Sequence, residues 1–295
     1  MHIKTACELF GRCRQAYYQL KTNYLDRKVL ENRLVEAARD IRTEVPGVGA
    51  VKLHNLLSDI FSPDEMIGRD AFIKLLDKHS MMLAPHKTKR TTNSNHSFKK
   101  YQNLIKGSEP FVPNGLWVSD ITYISTQDGF SYLHLVTDAY SRRIMGWSFS
   151  DSLKAIHSLE ALKMAIDYTQ QTSLKGLIHH SDRGKQYCCH EYTQMLKKYD
   201  IEISMTQDSK PTDNAIAERV NGIIKQELIY RLEKVEDQEI LGDRLALFIE
   251  YYNKRRPHMS LNMQTPDIAH EQKGEQIRLW KTKDYTENKK AIVES

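Results

Sequence analysis

Four cysteines, Cys7, Cys13, Cys188 and Cys189, are all that the 295 residues contain, and no two stand at Cys-x-x-Cys spacing. That excludes a disulfide framework and the usual spacing of a zinc site, and it fits a reducing compartment. No run of about 18 apolar residues occurs, and the first residues lack an apolar core of signal-peptide size, so neither a membrane span nor export is expected. A cytoplasmic protein with no membrane partner follows as the expectation. No self-similarity at a period of about 20 to 50 residues is visible, which argues against a solenoid or propeller. What is present is ordinary for a globular chain: 40% hydrophobic and 27% charged residues, which leaves disorder and fibrous classes without support.

The net charge of +5 is unevenly spread. Up to Pro110 there are 19 Lys and Arg against 12 Asp and Glu; beyond it there are 24 against 26. A basic front and a slightly acidic back suit a front that meets a polyanion and a back that keeps carboxylates for another purpose, although surface solubility alone produces the same asymmetry. In the front, Thr5–Phe10 and Arg14–Lys21 read as two short helices broken at Gly11–Cys13, the size of a helix-turn-helix. A further helix is expected from Leu25 to Thr43, with Leu30, Leu34 and Ala37 or Ala38 forming one apolar stripe, ending before Pro46. After the Val45-Pro46-Gly47 turn, helices to Ser58 and over Arg69–Lys78 again suggest a small DNA-binding unit or a bundle that only packs on its neighbour. We therefore divide the front into residues 1–44 and 45–85. From His86 to Lys106 six cations, among them Lys87, Lys89 and Arg90, occur without an acid. Residues 86–110 thus read as a basic linker, either a solvated tether or a tracker of phosphates.

Beyond Pro110 the pattern changes to short aromatic and β-branched runs: 117–124, 132–138 and 142–149, separated by hairpin-like connections. A helix over Ala155–Gln170, a strand over Gly176–His180, a helix over His190–Lys198 and a strand over Ile201–Met205 follow. The order β-β-β-α-β-α-β-α predicts an α/β fold, a mixed sheet flanked by helices.

Three acids stand out by position. Asp120 interrupts the strand-like Trp117-Val118-Ser119-Asp120-Ile121-Thr122-Tyr123, where Asp is normally depleted. Asp182 follows the apolar run ending His179-His180-Ser181, at the carboxyl end of a strand, where open α/β sheets place their active sites. Glu218 lies in a helix started by Pro211, Thr212 and Asp213, on one polar face with Asn214, Asn221 and Lys225; Ile216, Val220, Ile223 and Ile224 line the other. Brought together, three carboxylates repel unless cations sit among them, and oxygen-only ligands select Mg²⁺ or Mn²⁺. A zinc cluster of His179, His180, His190, Cys188 and Cys189 is geometrically poor, because adjacent ligands reach one tetrahedral site badly.

These motifs resemble the integrase-like DDE transposases, especially the OrfB proteins of bacterial insertion sequences. The resemblance rests on the Asp120 segment, on His180-Ser181-Asp182-Arg183-Gly184 with Gln186-Tyr187, on Asp213-Asn214-Ala215 leading to Glu218, and on the 35 residues between Asp182 and Glu218. It continues through Tyr251-Tyr252-Asn253, Arg255-Arg256-Pro257-His258, Leu261 and Thr265-Pro266, and more weakly through Cys7–Tyr18 and Gly47–Leu57. The sequence departs from the family at Lys185, Arg219 and Val220, none of them a ligand candidate, and it lacks the His-x-x-x-His and Cys-x-x-Cys pairs of retroviral integrases.

The resemblance implies a ribonuclease H-like catalytic core over residues 111–270, preceded by small all-α helix-turn-helix domains and followed by a tail, 271–295. It implies that Asp120, Asp182 and Glu218 are the catalytic residues and hold two divalent ions, Mg²⁺ or Mn²⁺. It further implies a transposase that cleaves insertion-sequence ends and joins the 3′-hydroxyl to DNA. Terminal inverted repeats and target DNA are its expected partners, with a second copy of itself and an upstream frameshift-fused OrfA product, in a bacterial, nucleoid-associated setting. Lys225 resembles a lysine that contacts the element's end, with a solvated surface lysine as the plain alternative. Arg183 and Gln186 hold either their own loop or DNA; Asn214, Asn221 and Arg14 complete the candidate DNA contacts. A hydrolytic ribonuclease H-like nuclease and an inactive transposase-derived DNA-binding protein are the rival readings.

Overall fold

Residues with branched or aromatic side chains over 116–150 form three antiparallel strands, β1 (Leu116–Thr126), β2 (Gly129–Asp138) and β3 (Ile144–Ser150). β1 and β2 pair from Trp117 opposite Asp138 to Thr126 opposite Gly129. β4 (Ile178–Ser181) adds to β1 in parallel, and β5 (Glu202–Met205) adds to β4 in parallel, giving the order β3-β2-β1-β4-β5. This is the mixed sheet that the element order predicts, and it has the ribonuclease H-like order that the family resemblance implies. In this computed structural model the described residues are 3, 5, 7, 10–11, 13–84, 98–105, 110–126, 129–207, 214–232 and 237–276, without the side chains of 20 and 21. The candidate cations Lys87, Lys89 and Arg90, the motif residue Asp213 and positions 277–295 of the tail lie outside them.

The chain divides into two packed units, Met1–Pro85 and His86–Ser295. In the first, α1 (Arg14–Glu44), α2 (Ala50–Ser58) and α3 (Arg69–Lys78) bury Leu34, Ala38, Leu53, Leu57, Phe72 and Leu76. The sequence reading placed a break between Lys21 and Leu25; the structure has one helix of 31 residues there. No Gly or Pro lies between Arg14 and Glu44, so nothing stops propagation until Pro46 and Gly47.

In the second unit, α4 (Ala155–Thr169), α5 (Lys185–Cys188) and α6 (His190–Lys198) cover one face of the sheet, where Trp117, Val136 and Met145 meet Ala161, Leu162, Ile166, Tyr192 and Leu196. On the other face α7 (Ala215–Glu227) packs Ala217 on Leu116, Val118 and Ala139. Gly242 of α8 (Gln238–Lys254) faces Phe149 of β3. A short α9 (Pro266–His270) follows, begun by Thr265, whose side chain accepts from the Ile268 N–H. The short α5 and the whole of α8 are absent from the sequence reading, although Leu241, Leu245, Phe248, Ile249 and Tyr252 repeat at helical spacing. Part of the segment read as linker belongs to this unit's sheet edge: the Met205 N–H donates to Gln102 O (3.2 Å), and the Leu104 N–H to Ser204 Oγ (2.9 Å).

β3 and α4 approach closely at Gly146. A Cβ there would run into the backbone of Ala161 and lie 2.7 Å from Ala165 N. Both obstacles are helix backbone, so the strand cannot yield locally. Gly146→Ala is expected to destabilise this unit by about 3 kcal/mol, at the upper end for an inserted core methyl, read as a lower urea midpoint at unchanged slope.

Candidate active site

The parallel register of β1 and β4 pairs Leu116 with Ile178, Trp117 with His179 and Val118 with His180. Continued by two residues it brings Asp120 level with Asp182, on strands that neighbour each other at about 4.8 Å. Asp120 shares its sheet face with Thr122, Ile124, Leu133 and Leu135, all buried, so its strand position is a core position. The Ile121 N–H donates to Asp120 Oδ1 (2.9 Å), and the Asn221 amide donates to Oδ2 (2.7 Å). Burial above all, and then the charge of Asp182, push the Asp120 carboxyl up to about 7; these two hydrogen bonds pull the other way, and Glu218 adds a smaller repulsion. Asp182 Oδ1 accepts from the Gly184 N–H (2.8 Å). A Cβ on Gly184 would sit 2.9 Å from that oxygen, so a larger residue there would push on the Asp182 carboxylate.

Glu218 stands exposed in the first turn of α7, where a negative charge suits the helix end. Two asparagines bracket it. Asn214, four residues before, donates to Ser119 O (3.0 Å), and Asn221, three residues after, donates to Asp120. Both are buried, and each amide directs its N–H groups at β1. The sequence reading set them on a DNA-facing surface; the helix turns them inward because they share its face with Ala217. Their Oδ1 atoms are buried with no hydrogen-bond partner among the described residues. Lys225 continues the Glu218 face, half-buried; burial lowers the pKa of its ammonium, and the charge of Asp120 partly offsets this. Among the described residues no three His, Cys, Asp or Glu side chains are gathered tightly enough to hold a metal ion, so the acids do not form a ready-made cage.

The remaining motif residues are scaffold. Glu227, at the end of α7, forms a buried two-point ion pair with Arg256: Nε to Oε2 at 2.8 Å and Nη2 to Oε1 at 2.7 Å. Arg256 Nη1 meets His258 Nε2 at 2.9 Å, and the guanidinium lies over the Tyr252 ring. Asn253 grips β3 by accepting from the Ile144 N–H and donating to Ile144 O, each at 2.9 Å. The Tyr252 hydroxyl donates to Arg142 O, where the chain turns through a φ of 64°. Asn253 and Arg256 stand out in the sequence only as members of the motif from Tyr251 to His258, and Glu227 carries no local signal at all.

Of the histidines in the zinc-cluster reading, His179 and His180 are core groups and His190 is exposed. His179 Nε2 meets Ser119 Oγ (2.7 Å) and Tyr192 OH (3.0 Å), and burial lowers its pKa to about 3. His180 Nδ1 meets Ser204 Oγ (2.8 Å). Gln186 donates to Leu153 O (3.0 Å), so its amide holds the loop. Arg183 is half-buried, and Arg14 is exposed at the start of α1.

Two measurements test this geometry. Arg256→Met strands a buried carboxylate on α7, and a loss of about 3–5 kcal/mol in urea unfolding is expected. The second uses pH. A raised folded-state pKa at Asp120 means that, between about pH 4 and 7, the folded metal-free chain keeps a proton the unfolded chain has released, so stability falls as pH rises through that window. His179 and His134, whose pKa values burial lowers to about 3 and about 4, work in the opposite direction below about pH 6.5. Wild type and Asp120→Asn share both histidines. In EDTA the variant is therefore expected to gain stability relative to wild type as pH rises from 4 to 7; parallel curves would refute the raised pKa.

Residues 112–211 match the family profile described as Integrase core domain, and residues 199–266 match a second profile of the same description. An insertion element IS600 protein of Shigella sonnei, an uncharacterized 31 kDa protein, is 30% identical over 269 residues, 88% of this chain and 95% of that one. A Mycobacterium tuberculosis protein of insertion sequence element IS986/IS6110 is 38% identical over 177 residues, 58% of this chain, and the chain spans only 63% of its length. Among solved structures, a chain of the simian T-cell lymphotropic virus intasome in complex with PP2A regulatory subunit B56 gamma is 16% identical with a TM-score of 0.49, covering 84% of this chain and 80% of that chain. With the IS600 protein matched over nearly its whole length and the integrase core spanning the sheet and α7, this chain belongs to the insertion-sequence transposase family that carries an integrase core domain.

Proposed function

We propose that this chain is a DNA transposase that cleaves the ends of an insertion sequence and joins the freed 3′-hydroxyl to DNA, with Asp120, Asp182 and Glu218 as its catalytic residues. One observation carries the reading: the β1–β4 register, continued by two residues, sets Asp120 in the middle of β1 level with Asp182 just past the end of β4, with the Glu218 helix tied by Asn214 and Asn221 to the same stretch of β1. Two half-buried carboxylates that raise each other's cost of ionisation offer oxygen ligands, which suit a hard divalent cation such as Mg²⁺ or Mn²⁺. Asp120, Asp182 and Glu218 would hold it, Glu218 closing from its exposed position. With two such ions bound, the site gains the charge needed for water or a 3′-hydroxyl to attack a phosphodiester.

The chain's own groups do the positioning. Asn221 fixes Asp120 Oδ2, the Gly184 N–H fixes Asp182 Oδ1, and the Arg256–Glu227 pair anchors the far end of α7. Without a cation the Asp120 carboxyl holds a proton near neutral pH, so metal and proton compete there. Lys225, on the Glu218 face and partly stripped of water, would meet a phosphate of the element's end. Arg14, Arg183 and the linker cations Lys87, Lys89 and Arg90 are further candidates for phosphate contacts, with residues 1–44 and 45–85 as the end-binding domains and 111–270 as the catalytic one. Pairing two element ends requires two copies, so the working form is a dimer or larger.

The test is direct. Protein incubated with labelled terminal-repeat DNA and Mg²⁺ or Mn²⁺ should give strand-transfer products, and Asp120→Asn or Glu218→Gln should each lower them by at least ~100-fold, since even residues that only support metal ligands cost 10 to 100-fold. Cleavage without joining would make the chain a hydrolytic nuclease. Undiminished joining by both variants would remove the three acids from the reaction.

A further inference from the structure

The outer edge of β5 is covered by a segment that precedes the first strand. β4 and β5 run parallel, with Ser181 paired to Met205 at their carboxyl ends. Along β5 the Met205 N–H donates to Gln102 O (3.2 Å), and the Leu104 N–H donates to Ser204 Oγ (2.9 Å). Tyr101 packs on the core cluster that holds Met205 and Cys188; Ile105 packs on the opposite cluster, with Leu116 and Ile178. From Gln102 to Ile105 the chain therefore runs against β5, from the level of Ser181 down to that of Ile178, where β4 begins. Residues 98–100 consequently stand at the other end, the end from which Asp182 leaves β4.

That end is cationic. Lys99 and Lys100 are exposed, and Lys99 Nζ lies over the Tyr101 ring at 5.2 Å. Beside them is α5, whose Cys188 Sγ lies 3.7 Å from Met205 Sδ and whose first residue, Lys185, is exposed. Burial first, then the Asp182 charge, push the Cys188 thiol up to about 11, and Lys100 and Arg183 oppose them, so all three charges stand around this one residue. Neither Phe98–Ile105 nor Arg183–His190 contains an acid.

We infer that Lys99 and Lys100, with Arg183 and Lys185, form a track for the DNA backbone that leaves the carboxylate site on the β5 side. This rests on the transposase reading proposed above. Two strand spacings, about 10 Å, separate the docked segment from β4. At 3.4 Å per nucleotide, the phosphates met there are about three nucleotides from the one held at Asp182. Lys225 belongs to α7 on the other sheet face, so the two sets of cations grip different stretches of DNA. The bonds to Met205 and Ser204 give the lysines a fixed place, which a solvated tether does not need.

Salt dependence tests this. The full chain is titrated, without metal, onto a duplex carrying the element's end and its flank, since each phosphate contact adds about 0.9 to the slope of log affinity against log salt. Lys99→Gln with Lys100→Gln is expected to flatten that slope by about 1 to 2. It should also abolish interference from ethylated phosphates about three nucleotides from the element's terminal bond. Lys175→Gln with Lys198→Gln is the charge-matched control. Both residues are exposed near the amino end of β4, where the Leu174 N–H donates to Tyr199 O (2.7 Å), and this variant should keep the wild-type slope and interference. An unchanged slope in the Lys99/Lys100 variant, or an equal loss in both double variants, overturns the inference. Failure of the underlying reading looks different: wild type would bind the duplex and give no strand-transfer product with Mg²⁺ or Mn²⁺, while the slopes still separate the two double variants.

Discussion

Two carboxylates level with each other on neighbouring parallel strands, one of them in a core position, impose the constraint on which the rest of the catalytic unit depends. Each makes the other costlier to ionise, and the surrounding protein weakens the screening that water would supply. The neighbours answer this with donors: the Ile121 N–H and the Asn221 amide on Asp120, and the Gly184 N–H on Asp182. They relieve the strain only in part, since the Asp120 carboxyl remains near 7. A site so arranged is destabilised when empty and charged, and the natural relief is a cation with oxygen ligands.

The same constraint explains why so much of the chain beyond α7 is devoted to holding that helix. α7, which carries Glu218, lies across the first half of β1, with Ala217 packed on Leu116 and Val118. Asn214 and Asn221 tie its near end to residues 119 and 120, and Arg256 ties its far end through Glu227. α8, which brings Arg256 into place, is itself fastened to β3 by Asn253. A buried ion pair contributes little net stability over a well-packed apolar contact, so its value here lies in fixing one orientation of the helix. The motif from Tyr251 to His258 thus fastens α8 to β3 and, through Glu227, fixes the far end of α7.

Local pattern made much of this readable. The strands over 116–150, the α4 and α6 helices and the boundaries of α2 and α3 follow from periodicity and from turn residues such as Pro46 and Gly47. Asp120 and Asp182 were legible because an acid in a strand, or just past one, conflicts with its surroundings. Contacts between distant segments left no such trace. Glu227 looks like any helix-surface acid until Arg256, 29 residues later, folds back on it. Asn214 and Asn221 look solvent-facing because the stripe they share with Glu218 is polar, and only the packing of Ala217 on β1 turns them inward. The continuous α1 differs for another reason: residues 22–24 hold no helix-stopping residue, so the two helices expected on either side propagate as one.

The sequence by itself determined the α/β class, the family resemblance and the three acids, because period, turn chemistry and motif spacing are properties of neighbours along a chain. Only the tertiary structure decided that two of those acids lie level across β1 and β4 and that the third waits exposed on a helix clamped at both ends. Register across a parallel pair, burial of a side chain and the charge one carboxylate feels from another depend on distances in space, and those exist only once the sheet has formed.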